Sequence, residues 1–425
     1  MTASSRRAVL TGIGALSAIG QDAASFWDSL QAGRGGIRTI QGLDTSGLPV
    51  HMAAQVIPFD AKKFVEKDQR KSLKMMARTV QLAVAAAQLA LVDSGVDKKQ
   101  LDPTRFGIEF GCGLIATELD ELGDAAAVSA NGRPGSVDLE KWGSEGLERI
   151  QPLWMLKYLP NMPACHISIF HDARGPNNTI TANDVAGLLA FGEAYRILVR
   201  DEADFFFVGG AESKINGLSL VRQCLFEPLS RHNQEPEKAC RPFDKGRDGI
   251  VLGEGAGVLI MEELEHAKRR NAHIYAEVVG FGSSFDRGRK GSGLARAIRA
   301  ALADARIGPE AIDHVNAHGV GSVEGDAWEA RGINEVFGGL DTPVLAAKSY
   351  IGHLGAGGAS LELAASLLGL KNGVVPATLN HQTPDPACPV NVIAGSPRPA
   401  KQAHVLKISV TPMGQCAALV CRKWD

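Results

Sequence analysis

No stretch of this 425-residue sequence approaches the roughly 18 apolar residues of a membrane-spanning helix, so no such helix is expected. Excess charge is missing too. The formal net charge is −2 with both signs interspersed, which argues against nucleic acid or an anionic membrane as the main partner, since either calls for a basic face. No Cys-x-x-Cys pair occurs among the seven cysteines, an odd and scattered set from Cys112 to Cys421. Buried free thiols in a reducing cytoplasm are the plain reading. Low-complexity tracts and flexible linkers are also lacking. The opening "MTASSRRAVLTGIGALSAIG" places a short apolar run after two arginines, as a secretory signal does. It contains three glycines and no cleavage-like site before "DAASFWDSLQAG", so it reads as a first strand and turn followed by a helical segment.

Hydrophobic content of 45% against 22% charged leaves ample material for a core, and the length is large for a single one. Two segments rhyme: "ALVDSGVDKKQLD" (Ala90 to Asp102) and "ALADARIGPEAID" (Ala301 to Asp313). Each closes an Ala-rich helical pattern and leads into a candidate strand, "RFGIEFGCG" and "HVNAHGVG" respectively, which favours an internal duplication over chance. Further strand candidates, "ADFFFVGGAE", "GAGVLIMEEL", "IYAEVVGFGSS" and "HVLKISV", alternate with helical segments in the manner of an α/β protein with buried sheets. Residues 120–160 are punctuated by Gly and Pro and read as an irregular, elaborated insertion.

Four stretches together resemble the β-ketoacyl-acyl carrier protein synthase (ketosynthase) family of the thiolase-like superfamily. They are "RRAVLTGIGALSAIG", the long run from Arg241 to Gly282, "VNAHGVGSVEGDAWEA" and "AAKSYIGHLGAGGASLE". The resemblance implies an α/β fold, thiolase-like, with duplicated halves in a five-layered αβαβα sandwich. An N-terminal half would span 1–265, with the insertion at about 120–160, and a C-terminal half 266–425. It also implies a cytoplasmic dimer that handles acyl groups on an acyl carrier protein. No cofactor is implied beyond the carrier's phosphopantetheine arm, which serves as substrate carrier.

In the family a Gly-Pro precedes a strand, and a nucleophilic Cys then opens a buried helix. Here Gly175 and Pro176 fix one side of that register, and Gly187, Gly192 and Ala194 fix the other without a gap. The residue at the nucleophile position is Asp184. A thiolate stores an acyl chain as a thioester. A carboxylate would form a mixed anhydride, more reactive than the thioester it came from, so storage there is uphill. The family's closing Gly-rich loop, whose backbone N–H serves the oxyanion hole, is replaced by "KISVTPMGQCAALVC". Pro412 falls at the donor position, with Met413 beside it, and proline has no N–H. Ordinary condensation by this chain alone is therefore not expected.

The rest of the family's site is present in the motifs. His318 and His353 match the two histidines that hydrogen-bond the malonyl thioester as CO2 leaves. Lys348 matches the family lysine, and Glu329, eleven residues after His318, is its expected ion-pair partner. The pantetheine-contacting pair becomes Val320 and Ser322, with one hydroxyl lost and one kept. Decarboxylation of malonyl-carrier by the two histidines is the first reading, with Asp184 ionised, protonated by burial or paired with a charged histidine. A non-catalytic, chain-length-factor-like partner of a Cys-containing ketosynthase is the alternative, so homodimer and heterodimer both stay open. A two-histidine, one-carboxylate metal site is the remote third, and no metal is expected.

Overall fold

The computed structural model describes residues 6–130, 132, 133 and 135–424. The first five residues of the opening stretch, and residues 131 and 134 of the expected insertion, lie outside the described residues. Eleven strands form one hydrogen-bonded sheet: β1 (Ala8–Leu16), β2 (Phe106–Cys112), β3 (Asn177–Ile180), β4 (Phe205–Ser213), β5 (Glu254–Glu263), β6 (Ala276–Phe285), β7 (Ile312–Asn316), β8 (Pro343–Leu345), β9 (Asn391–Val392), β10 (His404–Val410) and β11 (Gln415–Lys423). Their spatial order is β9-β8-β7-β10-β11-β6-β1-β5-β4-β2-β3.

This order is one pattern used twice. Starting from β1 outward, the first half runs through two antiparallel pairings to β5 and β4, then two parallel pairings to β2 and β3. Starting from β6, the second half runs antiparallel to β11 and β10, then parallel to β7 and β8. A short antiparallel contact between β1 and β6 joins the two. The rhyming segments behave alike as well. Helix α1 (Arg78–Ser94) ends on Gly95 at φ 64°, and the corresponding later helix ends on Arg306 at φ 56°, the left-handed conformation that stops a helix.

The helices explain the layering. α1 and α2 (Met162–His171) pack on the outer face of the first half, and α4 (Ser292–Ala305) and α5 (Val323–Phe337) on that of the second. Between the halves lie α3 (Ala186–Val199) and α6 (Gly358–Asn372), which touch each other and strands of both. The result is the five-layered α/β arrangement. Because β1, β4 and β5 are covered on both faces, they read as continuous apolar runs rather than alternating ones. Small residues let the central helices approach closely: a Cβ on Gly187 of α3 would come within 2.6 Å of the Ala356 carbonyl oxygen.

The insertion differs from its sequence reading. It is helical rather than irregular, with a helix over Leu119–Ser129 and short turns over Leu139–Lys141 and Trp154–Tyr158. Gly132 and Gly135, both at positive φ, and Pro152 fall between these pieces. Among the described residues no helix is long and apolar enough to cross a membrane.

Candidate functional site

Three loops converge between the sheet halves. The first joins β3 to α3 and carries Asp184 in a single 3₁₀ turn, Asn183–Val185, entered through Asn183 at φ 50°. This places the carboxylate at the positive end of α3, where backbone N–H groups favour an anion. The second loop follows β7 and carries His318 just before Gly319 at φ 51° and Gly321 at φ 84°. The third precedes α6 and carries His353. Its backbone is held by a 2.7 Å hydrogen bond from the His353 N–H to the Val251 carbonyl.

Asp184, His318 and His353 are all buried. Asp184 Oδ1 lies 3.1 Å from His353 Nε2. The two imidazoles stand edge to face, with centroids 5.9 Å apart. Burial works against the Asp184 carboxylate. The adjoining His353, and then Lys214, outweigh it and hold this carboxyl well below the ordinary aspartate range. An ionised carboxylate can only accept, so a hydrogen bond across this 3.1 Å contact is donated by His353 Nε2.

His318 is the complement. Burial first, and then the neighbouring Lys348 ammonium, hold it well below the usual histidine range, so it is neutral. Lys348 Nζ lies 3.1 Å from His318 Nδ1 and, being an ammonium, donates to it. The ring's own proton is therefore on Nε2. One imidazole N–H remains available and the other is committed to Asp184.

The lysine's counter-ion is not the expected one. Lys348 Nζ pairs with Glu362 Oε1 at 2.7 Å, and Lys407 Nζ pairs with the other oxygen of the same carboxylate. Glu329 instead folds back from α5 to accept the backbone N–H groups of His318 and Gly319, the latter at 2.7 Å. It sits in the second turn of a helix that starts five residues after His318, so its carboxylate reaches the loop before it reaches the lysine. Burial, and then Asp326, push the Glu329 carboxyl up to about 7. Glu362, by contrast, faces Lys348 from α6, the helix that follows the His353 loop.

The remaining predicted residues divide. Ser322 is the N-cap of α5, its hydroxyl accepting the Gly325 N–H at 3.1 Å, and Val320 is buried in a neighbouring apolar cluster. Pro412 and Met413 do not line a buried pocket. They form the exposed tip of the β10–β11 hairpin, with Met413 60% exposed. The reason is local: Val410 pairs with Cys416, and the five residues between close a tight turn. Within that turn the N–H groups of Thr411, Gly414 and Gln415 are all spent on turn hydrogen bonds, and Pro412 has none. No oxyanion donor is presented by these four positions.

Asp184 and His353 meet directly, and among the described residues no group of three or more His, Cys, Asp or Glu side chains is arranged around a common point. A Ser–His–Asp chain does exist, from Asp313 through His314 to Ser366, with bonds of 2.9 and 2.8 Å. All three side chains are buried, so no substrate reaches the serine and the chain is part of the core.

Protonation linkage gives a test of the Asp184 contact. A carboxyl held below its ordinary 3.8 contributes stability that is present above that pH and lost as pH falls through it. The difference in unfolding free energy between wild type and Asp184→Asn is therefore expected to stay level from about pH 6 to about pH 5 and to shrink below 3.8, as read by denaturant titration.

Comparison with known proteins places these features in context. Family models match residues 5–267 as the beta-ketoacyl synthase N-terminal domain and residues 275–382 as its C-terminal domain. The chain is 35% identical over 413 residues to a 3-oxoacyl-[acyl-carrier-protein] synthase 2 of Coxiella burnetii, covering 95% of each. It is 36% identical over 399 residues to the protein of the same name from Vibrio cholerae, covering 92% of each. Among solved structures it matches the ishigamide ketosynthase/chain length factor at a TM-score of 0.87 and 30% identity, over 99% of this chain and 100% of that one. It matches AntDE:AntF, a type II PKS acyl-carrier protein in complex with its ketosynthase, at 0.85 and 27%, with the same coverage.

Proposed function

The chain belongs to the beta-ketoacyl synthase family, and from that premise we propose that it serves fatty acid or polyketide synthesis as a non-condensing subunit. It would pair with a cysteine-bearing ketosynthase that holds the growing acyl group delivered by an acyl carrier protein. One observation carries the proposal: the buried carboxylate of Asp184, the residue that the sequence resemblance puts at the nucleophile position, lies 3.1 Å from His353 Nε2. The carboxylate cannot store an acyl chain as a thiolate does, and it also occupies the N–H that a malonyl thioester would need. The turn adds to the case, because Pro412 has no N–H and those of Thr411, Gly414 and Gln415 are spent within it.

The experiment is reconstitution. The purified chain with acyl-carrier and malonyl-carrier is expected to make no 3-oxoacyl product. Addition of a cysteine-bearing ketosynthase from the same organism is expected to give a 1:1 complex and product. Product from the chain alone would remove the proposal.

A second reading, decarboxylation of malonyl-carrier, keeps one specific support. His318 is neutral, keeps a proton on Nε2, and is held by the Lys348–Glu362 pair. One donor of the two is intact, which is fewer than a decarboxylase of this kind would use.

A further inference from the structure

The chain that follows the helix over Ala23–Gln31 lines a cleft of about 590 Å³. Asp184, His318 and His353 do not line it. Gly36 lets the backbone lie flat against the loop after β1. Its N–H donates to the Tyr350 carbonyl at 2.7 Å, and a Cβ there would come within 2.6 Å of the Ala18 Cβ. Arg34 and Arg38, with Gly35 and Gly36 between them, both face into this cleft as lining residues. Arg34 is tied back to the helix: its N–H donates to the Ser29 carbonyl at 2.9 Å, and Nη2 lies 3.4 Å from Ser29 Oγ. Arg38 sits on the strand Ile37–Thr39 beside Ala53 of the strand Met52–Ala54, and its Nη1 donates to the Ile37 carbonyl at 2.6 Å. Each guanidinium is thus tethered through one nitrogen and keeps further donors free. Among the described residues neither arginine makes an ion pair, and no Asp or Glu lines the cleft.

Much of the remaining lining is apolar: Ala18, Ile19, Ala53, Ile57 and Pro58, with Ile57 45% exposed. A second cavity of about 330 Å³ adjoins the first, since Gln41, Gln55 and Ile57 line both. It adds Leu43, Ile115 and Ile215, and its Arg78 and Glu254 are paired with each other at 2.7 Å. We propose that the two cavities form a binding site for an amphipathic anion, with a carboxylate or phosphate head on Arg34 and Arg38 and an alkyl body along Ile57 into the second cavity. A guanidinium presents parallel N–H groups that match either head. No carboxylate in the first cavity repels an anion, and burying an alkyl chain against the apolar lining is favourable in proportion to the area covered. Cavities of this size with an apolar lining and a few convergent polar groups are what small-molecule sites use. The site stands apart from Asp184, so it holds whichever reading of that residue's chemistry is right.

The test is isothermal titration calorimetry of the purified full chain with octanoate, octyl phosphate, 1-octanol and inorganic phosphate. At least one of the two octyl anions is expected to bind saturably, and the tighter one identifies the head. 1-Octanol, which lacks the charge, and inorganic phosphate, which lacks the tail, are each expected to bind at least about tenfold more weakly. Arg34→Gln and Arg38→Gln are each expected to weaken the octyl anion about tenfold. Arg70→Gln, at an exposed arginine outside both cavities, should leave it unchanged. Hydrogen exchange maps the site without a substitution: the amides of residues 36–38 and 53–57 should slow when the octyl anion is bound. The proposal is overturned if neither octyl anion binds, if 1-octanol or inorganic phosphate binds as tightly, or if binding is undiminished in the double variant Arg34→Gln/Arg38→Gln. Unchanged exchange at residues 36–38 and 53–57 with the anion bound would overturn it as well.

Discussion

Asp184→Asn is expected to accelerate malonyl-carrier decarboxylation by about 10²-fold over the wild-type chain, with His318 and His353 left in place. Two effects point the same way. The neutral amide is a weaker acceptor than the carboxylate, so the His353 Nε2 proton can turn to the thioester, and restoring one oxyanion donor is worth about 10²–10³ in rate where a site depends on it. Removing the charge also removes repulsion: a unit charge about 4 Å from a developing enolate opposes it by ~4 kcal/mol at an effective dielectric of about 20. Release of CO2, followed by the mass of the carrier-bound acyl group, reads the outcome. His353→Ala on top of Asp184→Asn should return the rate to the wild-type level. If wild type already decarboxylates as fast as Asp184→Asn, the second reading of the site replaces the first.

The largest stability effect is expected at Glu362. Its carboxylate is the shared counter-ion of Lys348 and Lys407, and all three side chains are buried. Glu362→Gln leaves two ammonium groups facing each other without an anion, and breaking a buried pair in this way costs about 3–5 kcal/mol. Lys407 already sits at about 8, lowered by burial and by Lys348 against the pull of Glu362. In Glu362→Gln it should fall further and become neutral near pH 7. The native state then binds fewer protons than the unfolded chain, so the deficit of Glu362→Gln narrows as pH rises toward about 8. Lys407→Met, which leaves a one-to-one pair, should cost much less. Denaturant titrations at several pH values separate these outcomes. Glu329→Gln is expected to leave the Lys348 ion pair intact, because Glu329 binds backbone N–H groups instead.

Much of the fold was legible because its strands are covered on both faces, so β1, β4 and β5 show as unbroken apolar runs. The rhyme between Ala90–Asp102 and Ala301–Asp313 reported a repeated helix end, and Gly95 and Arg306 adopt the same left-handed stop. The small residues of α3 that the sequence register of Asp184 relied on have a physical reason, because a Cβ on Gly187 would come within 2.6 Å of the Ala356 carbonyl oxygen. What could not be read was partnership across the sheet. Spacing along the motif suggested Glu329 for Lys348, whereas Glu362 lies on a separate helix that only the fold brings beneath the lysine. Lys214 and Lys407 each stand alone in or beside an apolar strand, where a lysine normally marks an edge or a solvated end. Here Lys407 is buried and Lys214 largely covered because Glu362 and Glu212 wait for them. The turn that exposes Pro412 and Met413 depends on the β10–β11 register, which the sequence pattern alone left open.

Intact-protein mass spectrometry of the wild-type chain, quenched during exposure to acyl-carrier and malonyl-carrier, bears most directly on the central claim. Asp184 bound to His353 cannot take up an acyl group, so the polypeptide mass should be unchanged at every time point while a cysteine-bearing ketosynthase run in parallel gains the acyl mass. An acyl adduct on this chain, mapped to Asp184 or to any other side chain, would contradict the account.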